Sequence, residues 1–260
     1  MNIVSILFLI SWAAKLIIEL VLNIKNQLHI ALHKEAVPEA FAETVDLAAH
    51  QKAADYSREK LQLARFILFF DAALILVMTL GGGFQDIYHI WQGFELAPIW
   101  QDVGFLLFTF WFLALLHLPF SLISTFKIEA KFGFNRTTPK QFVSDLIKQW
   151  LLMLVLGLPL LWIIVMLMNN FIDQAWWVAV WAVWMTFNLL LLWAYPKWIA
   201  PLFNKFTPLE DGEMKQRIEA LLERTGFESN GIFVMDGSSR SGHGNAYFTG
   251  MGKNKRIVFF

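Results

Sequence analysis

Long apolar runs alternate with shorter polar ones along the chain. Runs near membrane length occupy positions 3–22, 61–80, 98–123, 150–168 and 174–195. A helix of about 20 residues rises about 30 Å, the thickness of a bilayer's hydrocarbon core. The pattern therefore predicts five membrane-crossing helices. The first run, "MNIVSILFLISWAAKLIIELVL", lacks a basic start and continues past the point where a signal-peptide core would end. It reads as a retained span. The third is long enough to tilt or to begin as an interfacial turn.

Charge sorts the connections between these runs. Lys25, Lys34, Lys52, Arg58 and Lys60 lie between the first and second spans, and Lys127, Lys131, Arg136, Lys140 and Lys148 between the third and fourth. The segments "GGGFQDIYHIWQGFELA" and "NNFID" contain no Lys or Arg. Basic residues return after the fifth span, from Lys197 to Arg256. By the positive-inside rule this alternation predicts an integral, multi-pass protein. Its N-terminus would lie outside, with both long loops and the C-terminal domain cytoplasmic. The first long loop, "EAFAETVDLAAHQKAADYSREK", has no Gly or Pro and carries a narrow apolar stripe through Phe41, Val45, Leu47 and Ala48. It is expected to be a solvated helix that extends the second span.

The character changes after Tyr195. "YPKWIAPLFNKFTPLEDGEMKQ" holds three prolines, expected to end the fifth span and to form an extended, turned connector. "DGEMKQRIEALLERTGF" predicts a helix with Met214, Ile218, Leu221 and Leu222 on one face and Gly226 as its C-terminal cap. "GIFVMDG" reads as a short buried strand, and "NAYFTGM" and "KRIVFF" as a hairpin across a Gly252-Lys253-Asn254 turn. So few elements cannot enclose a core of their own. The predicted fold is mainly α. A polytopic membrane helical bundle over residues 1–205 is followed, over 206–260, by the start of an α+β domain.

Composition narrows the function classes. The chain is 57% hydrophobic and 16% charged with a formal net charge of zero, so no basic field points to nucleic acid. Cysteine is absent, which excludes disulfides and thiolate metal sites.

Charged groups inside spans need a reason. Lys15 and Glu19 are spaced to meet on one helix face, while Asp71, Asp102 and His117 lie in or at the edges of the second and third runs. Two readings stand side by side: a polar, water-filled interior, or interhelical pairs and interfacial residues. His29 and His33 in "HIALH" have the spacing of H-E-x-x-H, but Ile30 stands where the general base would be. They read as juxtamembrane surface residues. His243, the one histidine of the tail, reads as a turn residue with a backbone hydrogen bond. "DGSSRSGHGN" lacks the Lys-Ser/Thr and following helix of a phosphate loop and is expected to be a plain exposed loop. "NAYFTGM" alternates small or polar with aromatic residues and contains Gly250, so another backbone can approach it closely. An edge strand of that kind can take an extended peptide by strand addition.

"HGNAYFTGMGKNKRIVFF" closely resembles the segment before the zinc helix of type 1 CAAX prenyl proteases, which are integral-membrane zinc metalloproteases. "HQKAADYSREKLQLA", "KFGFNRTTPKQFVSDLIKQ", "YPKWIAPLFNKFTPLEDGEMKQRIEALLERTGF" and "VMDGSSRSGHGNAYFTG" match in order as well. The resemblance implies membrane helices around a hydrophilic chamber, closed on the cytoplasmic side by the protease domain. It also implies that residues 245–250 border the active-site cleft and pair with substrate backbone. Asn245 would make a polar contact with the peptide, and Ala246, Tyr247 and Phe248 would line the cleft. Pro208 and Phe206 would shape the connector.

The family's H-E-x-x-H helix and distal Glu belong after this hairpin, and this chain carries neither. No catalytic residue and no metal ligand is therefore assigned. Zinc is expected in the complete family protein but not on this chain, which is expected to be an N-terminal part, inactive alone. The expected partners are a peptide or protein substrate, the lipid bilayer and the missing C-terminal half supplied in trans. The resemblance leaves open whether the substrate is prenylated. The alternatives are a non-catalytic pseudoprotease or membrane scaffold that binds extended segments, and a transporter using Lys15, Glu19, Asp71 and Asp102.

Overall fold

The computed structural model describes residues 2–171, 175–250 and 255–260. The predicted 252–254 turn and part of the "NNFID" loop lie outside the described residues. The chain divides into two compact units, residues 1–94 with 112–133, and residues 95–111 with 134–260.

In the first unit, α1 (Ile3–Leu32) begins at Asn2, whose side chain accepts from the Ser5 amide, and α2 (Leu47–Thr79) begins at Asp46, which accepts from the Ala48 amide. Both caps satisfy amides that a helix start leaves unpaired. The helices run antiparallel. Trp12 Nε1 donates to the Ala72 carbonyl (3.1 Å), Asn23 Nδ2 to the Leu61 carbonyl (3.0 Å), and Arg65 to Gln27 Oε1 (3.0 Å). The first long loop is helical from Leu47 onward, extending the second span as expected, but not before it. Only a single 3₁₀ turn, Glu39–Phe41, precedes Asp46, and the long helix starts after it. The short helix α3 (Gly83–Gln92) lies where the sequence reads as a glycine-rich loop, starting from Gly82 in the left-handed region at φ 83°.

The third long helix, α4 (Pro98–Leu122), continues through a π-helical segment, Ile123–Glu129. That wider turn brings Glu129 to Tyr56 (2.6 Å) and Lys60 (3.1 Å) on α2, and Lys131 pairs with Glu59. Farther along the same two helices, His117 Nε2 lies 3.1 Å from Asp71, with Phe70 and Phe120 edge-on to the imidazole. The interhelical-pair reading thus gains named partners for Asp71 and His117. Lys15 and Glu19 meet along α1 at 3.2 Å.

In the second unit the first turns of α4 pack on α5 (Pro139–Asn170), burying Val103, Leu107 and Val165 among Ile99, Leu158 and Trp162. α5 starts with Thr138 as cap and Pro139 in the first turn, where its missing N–H costs nothing. α6 (Trp176–Ala194) follows. Among the described residues, five helices are long and apolar enough to cross a membrane. Their exposed faces are apolar, Phe66 (64%) and Val155 (65%) among them, as lipid-facing surfaces must be.

The prolines after Tyr195 do not end the fifth helix. It widens into a π-helical segment, Tyr195–Ile199, and resumes as α7 (Ala200–Phe203). A proline ring clashes with the carbonyl four residues back in an α-helix, and a π turn gives it room. The connector also holds a strand the sequence did not reveal, β1 (Phe206–Pro208). α8 (Glu213–Thr225) ends as predicted, at Gly226 with φ 64°. Then come β2 (Ile232–Met235), β3 (Ala246–Thr249) and β4 (Arg256–Phe259). The sheet order is β1-β2-β4-β3. β1 is antiparallel to β2, β4 is parallel to β2, and β3 is antiparallel to β4. The fold is therefore mainly helical with a small C-terminal sheet. The strand β4 is central and β3 forms the outer edge.

Candidate peptide-binding edge

Residues in an antiparallel pair alternate. Some exchange both backbone hydrogen bonds with their opposite number, and the next direct both groups away. Asn245 and Phe260 exchange both, at 2.8 and 2.9 Å. The register then makes Tyr247 and Val258 the next bonded pair, so the N–H and C=O of Ala246 and Phe248 point out along the free edge. The side chain of Asn245 is turned to this edge too, and its Oδ1 accepts from the Ala246 amide at 2.8 Å.

The two faces of β3 differ. Phe248, 72% exposed, meets Phe227 edge-on with ring centroids 5.7 Å apart. Together with Ala246, Ile257, Leu221 and Leu222 these rings line an open apolar pocket of about 350 Å³ between the strand and α8. Tyr247 points to the opposite face, its ring 6.0 Å from Phe260 and its hydroxyl 3.9 Å from Met235 Sδ. Burial pushes the Tyr247 phenol above its ordinary pKa, and the charge of a Tyr195 phenolate adds to this. On that face Arg256 donates to the Pro196 carbonyl (3.0 Å) and lies over the Phe233 ring. Val258, 1% exposed, is buried there.

The loop entering β3 differs from the plain exposed loop expected of "DGSSRSGHGN". Asp236 and Lys205 are joined both ways, by the Asp236 amide to the Lys205 carbonyl (3.1 Å) and by the Lys205 amide to Asp236 Oδ1 (2.8 Å). Gly237 is buried, and a Cβ there would stand 2.9 Å from Phe260 Cβ. The Arg240 guanidinium forks onto Asp145 of α5 (2.8 and 3.1 Å) and donates to Asn204 Oδ1 (2.8 Å). Its carbonyl accepts from the Arg136 amide (3.0 Å) and Thr137 Oγ1 (3.1 Å). The Gly242 amide donates to the Phe134 carbonyl (2.7 Å), and the His243 ring stacks on Phe134 at 4.0 Å. The His243 amide donates to Ser241 Oγ (3.2 Å), in keeping with its reading as a turn residue. Sequence reasoning missed this cluster. Its only local signal was an arginine set among small residues.

The zinc that the resemblance implies finds no fitting ligand set. Among the described residues no group of three or more His, Asp or Glu could hold a metal ion. His29 in the last turn of α1 and His33 at its C-terminal cap are exposed and lie ring to ring at 4.1 Å. No chemical step is derived through a metal.

A family model described as CAAX prenyl protease N-terminal, five membrane helices, matches residues 26–205, and the model of peptidase family M48 matches 208–260. CAAX prenyl protease 1 of Saccharomyces cerevisiae is 35% identical over 241 residues, covering 88% of this chain and 53% of the relative. Its homolog from Oryza sativa is 35% identical over 254 residues, covering 94% and 58%. The crystal structure of S. mikatae Ste24p superposes with a TM-score of 0.85 at 34% identity, covering 96% of this chain and 58% of that one. The chain thus spans about half the length of the curated relatives it matches. Sequence, membrane helices and sheet agree: this chain belongs to the CAAX prenyl protease family of multi-pass membrane metallopeptidases.

Proposed function

We propose that β3 is the substrate-binding strand of a membrane-embedded peptidase, and that it takes an extended peptide segment along its free edge. The observation that carries this reading is the outward pair of N–H and C=O groups on Ala246 and Phe248, set beside an exposed phenylalanine and an apolar pocket. Strand addition draws its affinity from such backbone groups and its selectivity from neighbouring side-chain pockets. Asn245 supplies the polar contact, its amide exchanging Ala246 for the incoming backbone. In this reading residues 1–205 form the membrane part and 206–260 belong to the peptidase domain. The names of the relatives make isoprenylated C-terminal peptides the first substrates to try.

The test uses the chain in lipid nanodiscs and a fluorescent peptide with a farnesylated C-terminal cysteine, alongside the same peptide without the lipid. Saturable binding with slowed amide exchange at Ala246 and Phe248 is the expected result. Absence of binding to either peptide, or binding that leaves those amides unchanged, would overturn it. Mass spectrometry of the bound peptide separates a peptidase, which shortens it, from a binding protein, which returns it intact.

The same reading places the N-terminus outside and the tail in the cytoplasm. The cysteine-free sequence makes this easy to check. A membrane-impermeant maleimide should label Asp86→Cys in intact cells and Glu228→Cys only after permeabilisation. The opposite pattern would reverse the orientation.

A further inference from the structure

We infer that Arg240 is a positioning residue, which sets where β3 presents its edge by clamping the entering loop to the first turns of the membrane helix α5. The inference rests on the peptide-binding reading of β3. Its geometry stands independently.

Arg240 precedes Asn245 by five residues. A chain of that length spans at most about 17 Å. Within it the Ser241 and Gly242 amides are bonded to the Gly237 and Phe134 carbonyls and the His243 ring is stacked on Phe134, so little slack remains. Whatever anchors Arg240 therefore fixes the start of the strand. The anchor is a bidentate guanidinium–carboxylate pair with Asp145 plus a third bond to Asn204, and both charged side chains are mostly buried, at 24% and 16% exposure. Planar two-point contact of this kind gives geometric specificity that a point charge cannot. Backbone bonds from residues 134–136 to residues 240–242 hold the same loop from the other side. The Nε, Nη1 and Nη2 of Arg240 are engaged by Asp145 and Asn204, so Arg240 acts through β3 and not on a bound peptide.

Lys148 lies 3.8 Å from Asp145 and donates to the Leu202 carbonyl. Asp145 therefore keeps a cation when Arg240 is changed, and substitutions there should leave the fold standing while loosening the loop.

The experiment compares the full chain in nanodiscs with Arg240→Lys, Arg240→Ala, the single charge reversals Arg240→Asp and Asp145→Arg, and the exchanged pair that combines those two reversals. Amide exchange at Asn245 and Tyr247, which bond inward to β4, is read together with affinity for the farnesylated peptide. Arg240→Lys should speed exchange at both amides and weaken binding, each about tenfold, with helical circular dichroism unchanged. The exchanged pair should recover much of both. Unchanged exchange in Arg240→Lys and Arg240→Ala would overturn the inference. So would a parallel loss of helical signal, or failure of the exchanged pair to recover more than either single charge reversal. If wild-type chain binds no peptide, the substrate reading fails, and the exchange data alone still decide the role of Arg240.

Discussion

Val258→Asp is expected to dissolve the C-terminal sheet while leaving the membrane helices inserted. Val258 is 1% exposed on the central strand, opposite Phe233 on β2 and Tyr247 on β3. The side chains in register with it are aromatic, and Arg256 on the same face is held by the Pro196 carbonyl and the Phe233 ring, so an aspartate would be buried without a ready partner. Burial of an uncompensated charge costs several kcal/mol, among the largest effects a single substitution produces. Val258→Ala, which removes two methyl groups, should cost only about 2 kcal/mol. Limited trypsinolysis in nanodiscs measures the difference. Cleavage after Arg240, which the Asp145 contact shields, should become rapid in Val258→Asp and stay slow in Val258→Ala. Equal cleavage rates in wild type and Val258→Asp would show that the sheet does not depend on this residue.

Ala246→Pro is expected to lower peptide affinity about tenfold to a hundredfold with the sheet intact. The Ala246 amide points away from β4, so a proline there breaks no ladder bond, and edge strands tolerate it for that reason. What it removes is the donor offered to an incoming backbone. A docked carbonyl left without its partner loses about 1–3 kcal/mol, which sets the size of the effect. Tyr247→Pro is the matched control. Its amide faces Val258, so the same change one residue on should damage the sheet and raise its protease sensitivity. Should Ala246→Pro bind peptide like wild type, the free edge is not where the peptide lies.

Much of this was legible from the chain alone, because membrane length and strand alternation are local signals. The apolar runs fixed the five long helices, and "NAYFTGM" and "KRIVFF" announced β3 and β4. Other features were hidden. The polar turns that lengthen α2 were expected, but not the distant partners that hold them, such as Lys34–Asp55 and Glu129–Tyr56. The helix α3 opens with consecutive glycines and so reads as a loop. Pro196 sits inside a π-helical segment, where the usual rule about proline does not hold. β1 ends in a proline and exists as a strand only because β2 lies beside it. The Arg240 anchor was out of reach for the same reason. Asp145 is 95 residues away and Asn204 is 36 away, and no periodicity links them.

The sheet order has a consequence for biogenesis. β4 lies between β2 and β3, yet it follows both in the chain. A nascent polypeptide leaving the ribosome therefore displays β2 and the future edge strand before the ribbon that joins them exists. Unpaired strand borders are adhesive. A translational pause between Asn245 and Arg256 should leave a sticky intermediate that holdase chaperones capture, released once Val258 is free to slot in.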